Sequence, residues 1–299
     1  MNTSIKHLPA HKQNELKAIV QTIVSEFKNV EMIILFGSYS RGDQVEDKYV
    51  KQGAVYEYRS DFDLLIVLTH GGKSNNATFK YKVNEVIRNV GAQTPSRTII
   101  QGISSVNQLI DIGSPLFTDI RTQGIVLYNS GNFNLGNPRK LKPEEVLTNA
   151  QSDFTYWYEG ANDSYRHYNY AMKDESYKKA AFELHQTTER YYAAILMVFT
   201  GYKAKDHDIE SLGLLVNELD HRFELVFPME SEEEKYRFYL LKKAYVDSRY
   251  EKDYAITKTE LEYLSKRITI FKQLTKELCD ERLIQLQKAV ADHNTGTVK

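Results

Sequence analysis

The sequence predicts an α+β chain: a mixed sheet with flanking helices first, then an antiparallel helical bundle. Three observations carry this. Apolar runs of strand length alternate with segments of helical period up to about residue 130. The stretch "NSGNFNLGNPRK", rich in Asn and Gly and without periodicity, interrupts the pattern there. Every segment beyond it has helical spacing.

In chain order, "QNELKAIVQTIVSEF" has the apolar spacing of a helix, and "VEMIILFGS" is a buried strand ending in glycine. "VEDKYVKQGAVYEYRS" follows as a charged and aromatic excursion, an inserted hairpin or flap that either covers a site or is inert. "FDLLIVLT" is the second strand, "NATFKYKVNEVIRNV" an amphipathic helix, and "SRTIIQGIS" and "GIVLY" two more strands. In the second half, Pro143 with Glu144 and Glu145 makes a helix start. The helical segments are "EEVLTNAQSDFTYWYEGANDSYRHYNYAM", "SYKKAAFELHQTTERYYAAILMVFTGY" with Gly201 as its C-cap, "DIESLGLLVNELD", "SEEEKYRFYLLKKAYVDSRY" and "KTELEYLSKRITIFKQLTKELCDERLIQLQKAV". The expected organisation is a sheet domain over 1–130, a linker over 131–142, a bundle over 143–290 and a frayed polar tail over 291–299. Fifteen of the 21 tyrosines fall in the helical half, where packing between helices with hydroxyls at the rim accounts for them.

Composition narrows the function classes. With 41% hydrophobic and 26% charged residues the chain is a globular one, and a net charge of -1 supplies no global basic field for nucleic acid. The single cysteine, Cys279, excludes an intramolecular disulfide and a thiolate metal cluster. No apolar run approaches the roughly 20 residues of a membrane span. The start "MNTSIKHLPAHKQ" lacks the apolar core of a signal peptide. A cytoplasmic protein without membrane association is expected.

The chemistry concentrates in "RSDFDLLIVL". Residues two apart in a strand share a face, so Asp61 and Asp63 point together while Phe62, Leu64, Ile66 and Leu68 face the other way. Two like charges beside an apolar sheet repel, and a divalent cation between them resolves the conflict. Oxygen-only ligands favour Mg²⁺, with Mn²⁺ as the substitute. A solvated strand end gives the same pattern equally well. Upstream, "ILFGSYSRG" breaks at Gly37–Ser38, where a glycine lets backbone approach a phosphate and the Ser38 hydroxyl can bond it, with Arg41 in reach. An ordinary strand-to-helix turn is the competing reading of that break.

Gly37, Ser38 and Gly42, followed by Ser60 and the Asp61/Asp63 pair on the next strand, resemble the signature of the nucleotidyltransferase superfamily that includes DNA polymerase β, poly(A) polymerases and aminoglycoside nucleotidyltransferases. The resemblance covers about residues 30–70. It implies transfer of a nucleoside monophosphate from a nucleoside triphosphate to a hydroxyl of a small molecule, a protein tyrosine or an RNA end. Gly37, Ser38, Arg41, Gly42 and Ser60 would bind the nucleotide, and Asp61 and Asp63 would hold one or two Mg²⁺. Two departures stand out. The interval from Tyr39 to Ser60 is 22 residues, longer than in small members, and the third carboxylate expected on the strand "RTIIQGI" is missing. A base is then sought at the start of the helical half, where Glu145 leads Glu144 and Asp153, against the plainer role of these acids at a helix N-terminus.

"AAFELHQTTERYYAAILMVFTGYKAKDHDIESL" and "AYVDSRYEKDY" resemble the HEPN domain, which is often fused to or paired with minimal nucleotidyltransferases. HEPN ribonucleases carry an R-x4-6-H motif completed across a dimer, so a homodimer is expected. Here Arg249 is followed five residues on by Tyr254, and a phenol with an ordinary pKa near 10 is a poor base at neutral pH. The pair suits phosphate or nucleotide binding better than RNA cleavage. His185 and Glu189, with Arg190 beside them, read as a helix-surface network, and "KDHDIESL" around His207 as a cap through Asp206 or Asp208. The leading expectation is a Mg²⁺-dependent nucleotidyltransferase. A non-catalytic nucleotide-binding regulator and a HEPN-type toxin with a built-in nucleotidyltransferase antitoxin are the alternatives.

Overall fold

The strands read from "VEMIILF" and "FDLLIVL" lie side by side at the centre of a four-stranded sheet. The computed structural model describes residues 1–44, 46–51, 54–71, 77–203 and 207–296, with only the backbone described for 46–51, 54–59 and 77. The chain divides into two units, Met1–Lys140 and Leu141–Lys299.

The first unit runs α1 (Ala10–Glu26), β1 (Val30–Phe36), the single turn α2 (Ser38–Arg41), β2 (Glu46–Lys51), β3 (Ala54–Arg59), β4 (Phe62–Leu68), α3 (Ala77–Asn89), β5 (Ser96–Gly102), α4 (Ile103–Asp111), α5 (Pro115–Gln123) and β6 (Ile125–Asn129). The sheet order is β5-β4-β1-β6, with β1 antiparallel to both neighbours and β4 parallel to β5. Both central strands are covered on both faces, which is why they read as continuous apolar runs without alternation. Ile33, Leu35, Leu64 and Ile66 pack in one cluster with Leu16, Ile19 and Ile23 of α1 and Val83 of α3. On the other side, α5 ends at Gly124, where a Cβ would stand 2.8 Å from Ile34 Cγ2, so glycine permits the close return into β6.

The excursion between β1 and β4 is a two-stranded antiparallel hairpin of β2 and β3. Whether its side chains cover a site lies outside the described residues. Two short helices, α4 and α5, fill the stretch between the strands β5 and β6. The Asn/Gly-rich segment expected to link the domains is tied to them: Asn107 Nδ2 donates to the Asn134 carbonyl (3.2 Å), and Arg121 Nε to that of Gly136 (2.9 Å).

The second unit is helical: α6 (Pro143–Lys173), α7 (Tyr177–Thr200), α8 (Ile209–Leu219), a 3-10 turn (His221–Leu225), α9 (Glu232–Lys243), α10 (Asp247–Tyr250) and α11 (Lys258–Asn294). Gly201 closes α7 in the left-handed region (φ 59°), the conformation a C-cap glycine supplies. Asp208 caps α8 by accepting the Glu210 N–H at 3.2 Å, while Asp206 lies outside the described residues. Two expectations are corrected. "SEEEKYRFYLLKKAYVDSRY" is not one helix, since it breaks between α9 and α10. The tail expected to fray from residue 291 stays helical to Asn294, and residues 297–299 lie outside the described ones. Tyr158, Tyr168, Tyr191 and Tyr192 are buried in the core, and Tyr191 and Tyr168 place their hydroxyls on Asn162 (2.9 Å) and the Leu261 carbonyl (3.3 Å). Among the described residues no helix is long and apolar enough to cross a membrane.

Candidate functional site

Antiparallel pairing of Phe36 with Asp63 brings the end of β1 onto the start of β4. The chain then turns at Gly37 with φ 70° and ψ -153°, a region that essentially only glycine enters. The turn lies so close to Asp63 that a Cβ on Gly37 would stand 2.2 Å from Asp63 Oδ2. The break at Gly37–Ser38 is therefore fitted to the carboxylate. α2 starts at Ser38 and ends at Gly42 in the left-handed region (φ 80°), whose N–H donates to the Ser38 carbonyl at 2.9 Å. The hydroxyl that closes this turn is that of Ser40, donating to the Gly37 carbonyl at 2.9 Å. Arg41 is at the surface, where its Nε pairs with Asp43 at 3.0 Å, and Ser60 is half-buried immediately before Asp61.

Asp61 and Asp63 do share a site, with side-chain exposures of 26% and 16%. Burial pushes the Asp63 carboxyl up to about 6; Arg97 opposes the shift, the Asp61 charge adds to it, and Arg41 opposes it again. On β5, where a third carboxylate was sought, stands a guanidinium. Arg97 pairs with Asp63 across the parallel ladder, its Nε lying 2.9 Å from Asp61 Oδ2 and its terminal nitrogen 3.5 Å from Asp63 Oδ1. Composition of the strand showed the missing acid but not this bridge, which depends on the β4–β5 register. A second group missed from the sequence is Asp119 of α5. Burial raises its carboxyl pKa, and the opposing charge is Arg41, which also acts on Asp63.

Among the described residues no three His, Cys, Asp or Glu side chains are grouped to hold a metal. The Asp61/Asp63 pair, hard oxygen donors beside a glycine turn, fits a Mg²⁺ that brings phosphate and water as its other ligands. It does not fit a cation held by protein alone. Glu145, sought as a base, lies in the first turn of α6 and its carboxylate accepts the Lys142 N–H at 2.9 Å, the capping role weighed against it.

The helical unit places Arg249 and Tyr254 differently. Arg249, exposed on α10, lies over the rings of Phe182 (4.8 Å), Tyr245 (4.6 Å) and Tyr250 (5.1 Å), with its Nε donating to the Tyr245 carbonyl at 2.7 Å. Tyr254 is buried; its hydroxyl donates to the Leu240 carbonyl at 3.0 Å, and burial pushes its pKa further above the ordinary range. The reading of His185 and Glu189 as a surface network is corrected, because α7 runs through the middle of the bundle and both are buried. Glu189 accepts from Lys203 (2.8 Å) and pairs with His207 Nδ1 (2.8 Å). Burial pushes its carboxyl up, but these two partners together outweigh burial and hold it below the usual range. His207 stacks on Tyr245 at 3.9 Å, and His185 lies 5.4 Å from the same ring. Neither ring nitrogen of His185 has a hydrogen-bond partner among the described residues, and burial pushes its pKa down to about 4.

Compared with known proteins, the chain as a whole matches no curated protein. Its helical half does match a family: residues 154–278, all within the second unit, fit the model of the HEPN domain.

Proposed function

We propose that the first unit binds a nucleoside triphosphate with Mg²⁺ and transfers its nucleoside monophosphate to a hydroxyl, releasing pyrophosphate. One observation carries this reading: the Asp63 carboxylate is held against the Gly37 turn so closely that a Cβ at position 37 would collide with it. On this reading, backbone N–H groups of the turn and the Ser38 hydroxyl would bind phosphates held by a carboxylate-bound metal. Asp61 and Asp63 would bind that metal, which supplies charge stabilisation at the phosphoryl group and orients the attacking oxygen. Arg41 adds a guanidinium for the outer phosphates. The acceptor hydroxyl gives up its proton to solvent water as its oxygen bonds to the α-phosphorus and the bond from that phosphorus to the bridging oxygen breaks, and pyrophosphate carries away the electron pair.

The test is calorimetric titration with Mg-ATP and the other Mg-nucleoside triphosphates, followed by an assay for pyrophosphate. Asp61→Asn with Asp63→Asn is expected to abolish metal-dependent binding; the amide oxygens can still accept from Arg97, which otherwise loses both carboxylate partners, and circular dichroism checks that the double variant folds. Binding by the double variant as tight as that of the parent overturns the assignment.

Arg97 favours a second reading, nucleotide binding without turnover, because β5 offers a cation where a third carboxylate would serve the chemistry. Binding without pyrophosphate release would select it. The HEPN match supports a nucleotide- or RNA-related role for the helical unit. Here the exposed Arg249 on its aromatic platform suits a phosphate, while the buried Tyr254 offers no base. The purified protein is therefore expected to leave generic single-stranded RNA intact. Cleavage that disappears in Arg249→Ala would instead favour the toxin, with the first unit as its antitoxin.

A further inference from the structure

We infer that the Arg97 guanidinium occupies the cation's place between Asp61 and Asp63, so that the pair takes up a divalent metal only together with a nucleoside triphosphate. This rests on the function proposed above and adds its order of assembly: the free metal is excluded and the metal–nucleotide complex admitted.

The geometry is specific. Directly paired residues of a parallel ladder project to the same face, so the Asp63–Arg97 register sends the guanidinium to the side that carries both carboxylates. Two different nitrogens then serve two different aspartates, at 2.9 and 3.5 Å. The Arg97 side chain is only 22% exposed, so water does little to screen it. A divalent ion arriving alone meets a pair already half neutralised by a fixed positive charge. It finds only two protein ligands to replace its water, since no third acid joins the group among the described residues. A triphosphate changes both terms. Its oxygens complete the metal's ligand set, and they offer the guanidinium a planar, charged partner in exchange for the carboxylates. Metal and nucleotide then strengthen each other's binding by the same factor, as linkage requires.

The experiment titrates Mn²⁺, read as the loss of its free-ion electron paramagnetic resonance signal, into the full-length protein with and without ATP, correcting for the Mn²⁺ that ATP itself binds in solution. For the parent, ATP is expected to tighten Mn²⁺ binding at least tenfold. Arg97→Gln is expected to bind Mn²⁺ alone at least tenfold more tightly than the parent, and to lose that gain when Asp61→Asn and Asp63→Asn are added. Arg97→Lys keeps a cation but offers one nitrogen to two carboxylates, so its affinity for Mn²⁺ alone should lie between those of the parent and Arg97→Gln, and circular dichroism reports whether each variant folds. The parent's ATP dependence is decisive even if Arg97→Gln does not fold. Equal Mn²⁺ affinity with and without ATP, or in parent and Arg97→Gln when both bind Mn-ATP, overturns the inference and leaves the proposed function standing. Absence of Mn-ATP binding in every form instead rejects the proposed function.

Discussion

Gly37→Ala is expected to destabilise the first unit by about 2–4 kcal/mol, the sum of a backbone cost and a collision. The backbone cost comes from φ 70° with ψ -153°, where an L-residue with a Cβ is strained. The collision is with Asp63: the new Cβ would lie 2.2 Å from Oδ2, 3.1 Å from Cγ and 3.4 Å from Cβ. A flexible surface side chain would swing away. Asp63 is half-buried and tied to Arg97, so moving it breaks the ion pair as well. Gly91 provides the control: its φ is 74°, yet a Cβ there meets nothing within 4 Å. Gly91→Ala should therefore cost only the backbone part, about 1 kcal/mol. Adding Asp63→Ala to Gly37→Ala removes the collision, and the two changes should be clearly non-additive in a double-mutant cycle. Urea unfolding of five proteins decides it: the parent, Gly37→Ala, Asp63→Ala, their combination and Gly91→Ala. A Gly37→Ala variant within about 0.5 kcal/mol of Gly91→Ala would mean the turn is not fitted to the carboxylate.

The legible parts of this molecule are those where local pattern and burial agree. β1 and β4 are apolar along their whole length because helices cover both faces, and such runs stand out in any window. Asp61 and Asp63 were visible for the complementary reason, as charges at the mouth of such a run. Arg97 was not, because its role exists only in the parallel register of β4 with β5, which no local pattern encodes. α4 and α5 are hard to read from the sequence because each is nine residues long, about two and a half turns with only two or three buried apolar positions, and the break at Gly113 and Ser114 separates them. The error at His185 and Glu189 has a different cause. Polar residues on a helix are normally assigned to its solvated face, but α7 has neighbours nearly all round and buries His185, Thr187, Thr188 and Glu189 with its alanines and leucines. Composition alone does not reveal that a helix is the central one.

That burial makes the helical unit sensitive to acid in a window set by His185. Its pKa is about 4 in the folded protein against 6.5 ordinarily. Burial is the main cause, Glu189 and Asp208 oppose it, and His207 and Arg249 reinforce it. Between those values the unfolded chain binds a proton that the folded chain refuses, so stability increases with pH across the window and falls as the solution is acidified. From pH 7 to pH 5 the loss attributable to this group is about 2 kcal/mol, at roughly 1.4 kcal/mol per pH unit once below the ordinary value. Glu189 weakens the unit only at lower pH, because its carboxyl titrates below the usual range. The sole tryptophan, Trp157, lies on α6, so its fluorescence reports this unit's unfolding. His185→Leu substitutes a side chain of similar volume at a position whose ring nitrogens have no hydrogen-bond partner among the described residues. The variant should match or exceed the parent at pH 7 and exceed it by about 2 kcal/mol more at pH 5. If urea midpoints of parent and variant fell in parallel between those pH values, His185 would not be the group that acid reaches, and the orphaned imidazole would need another explanation.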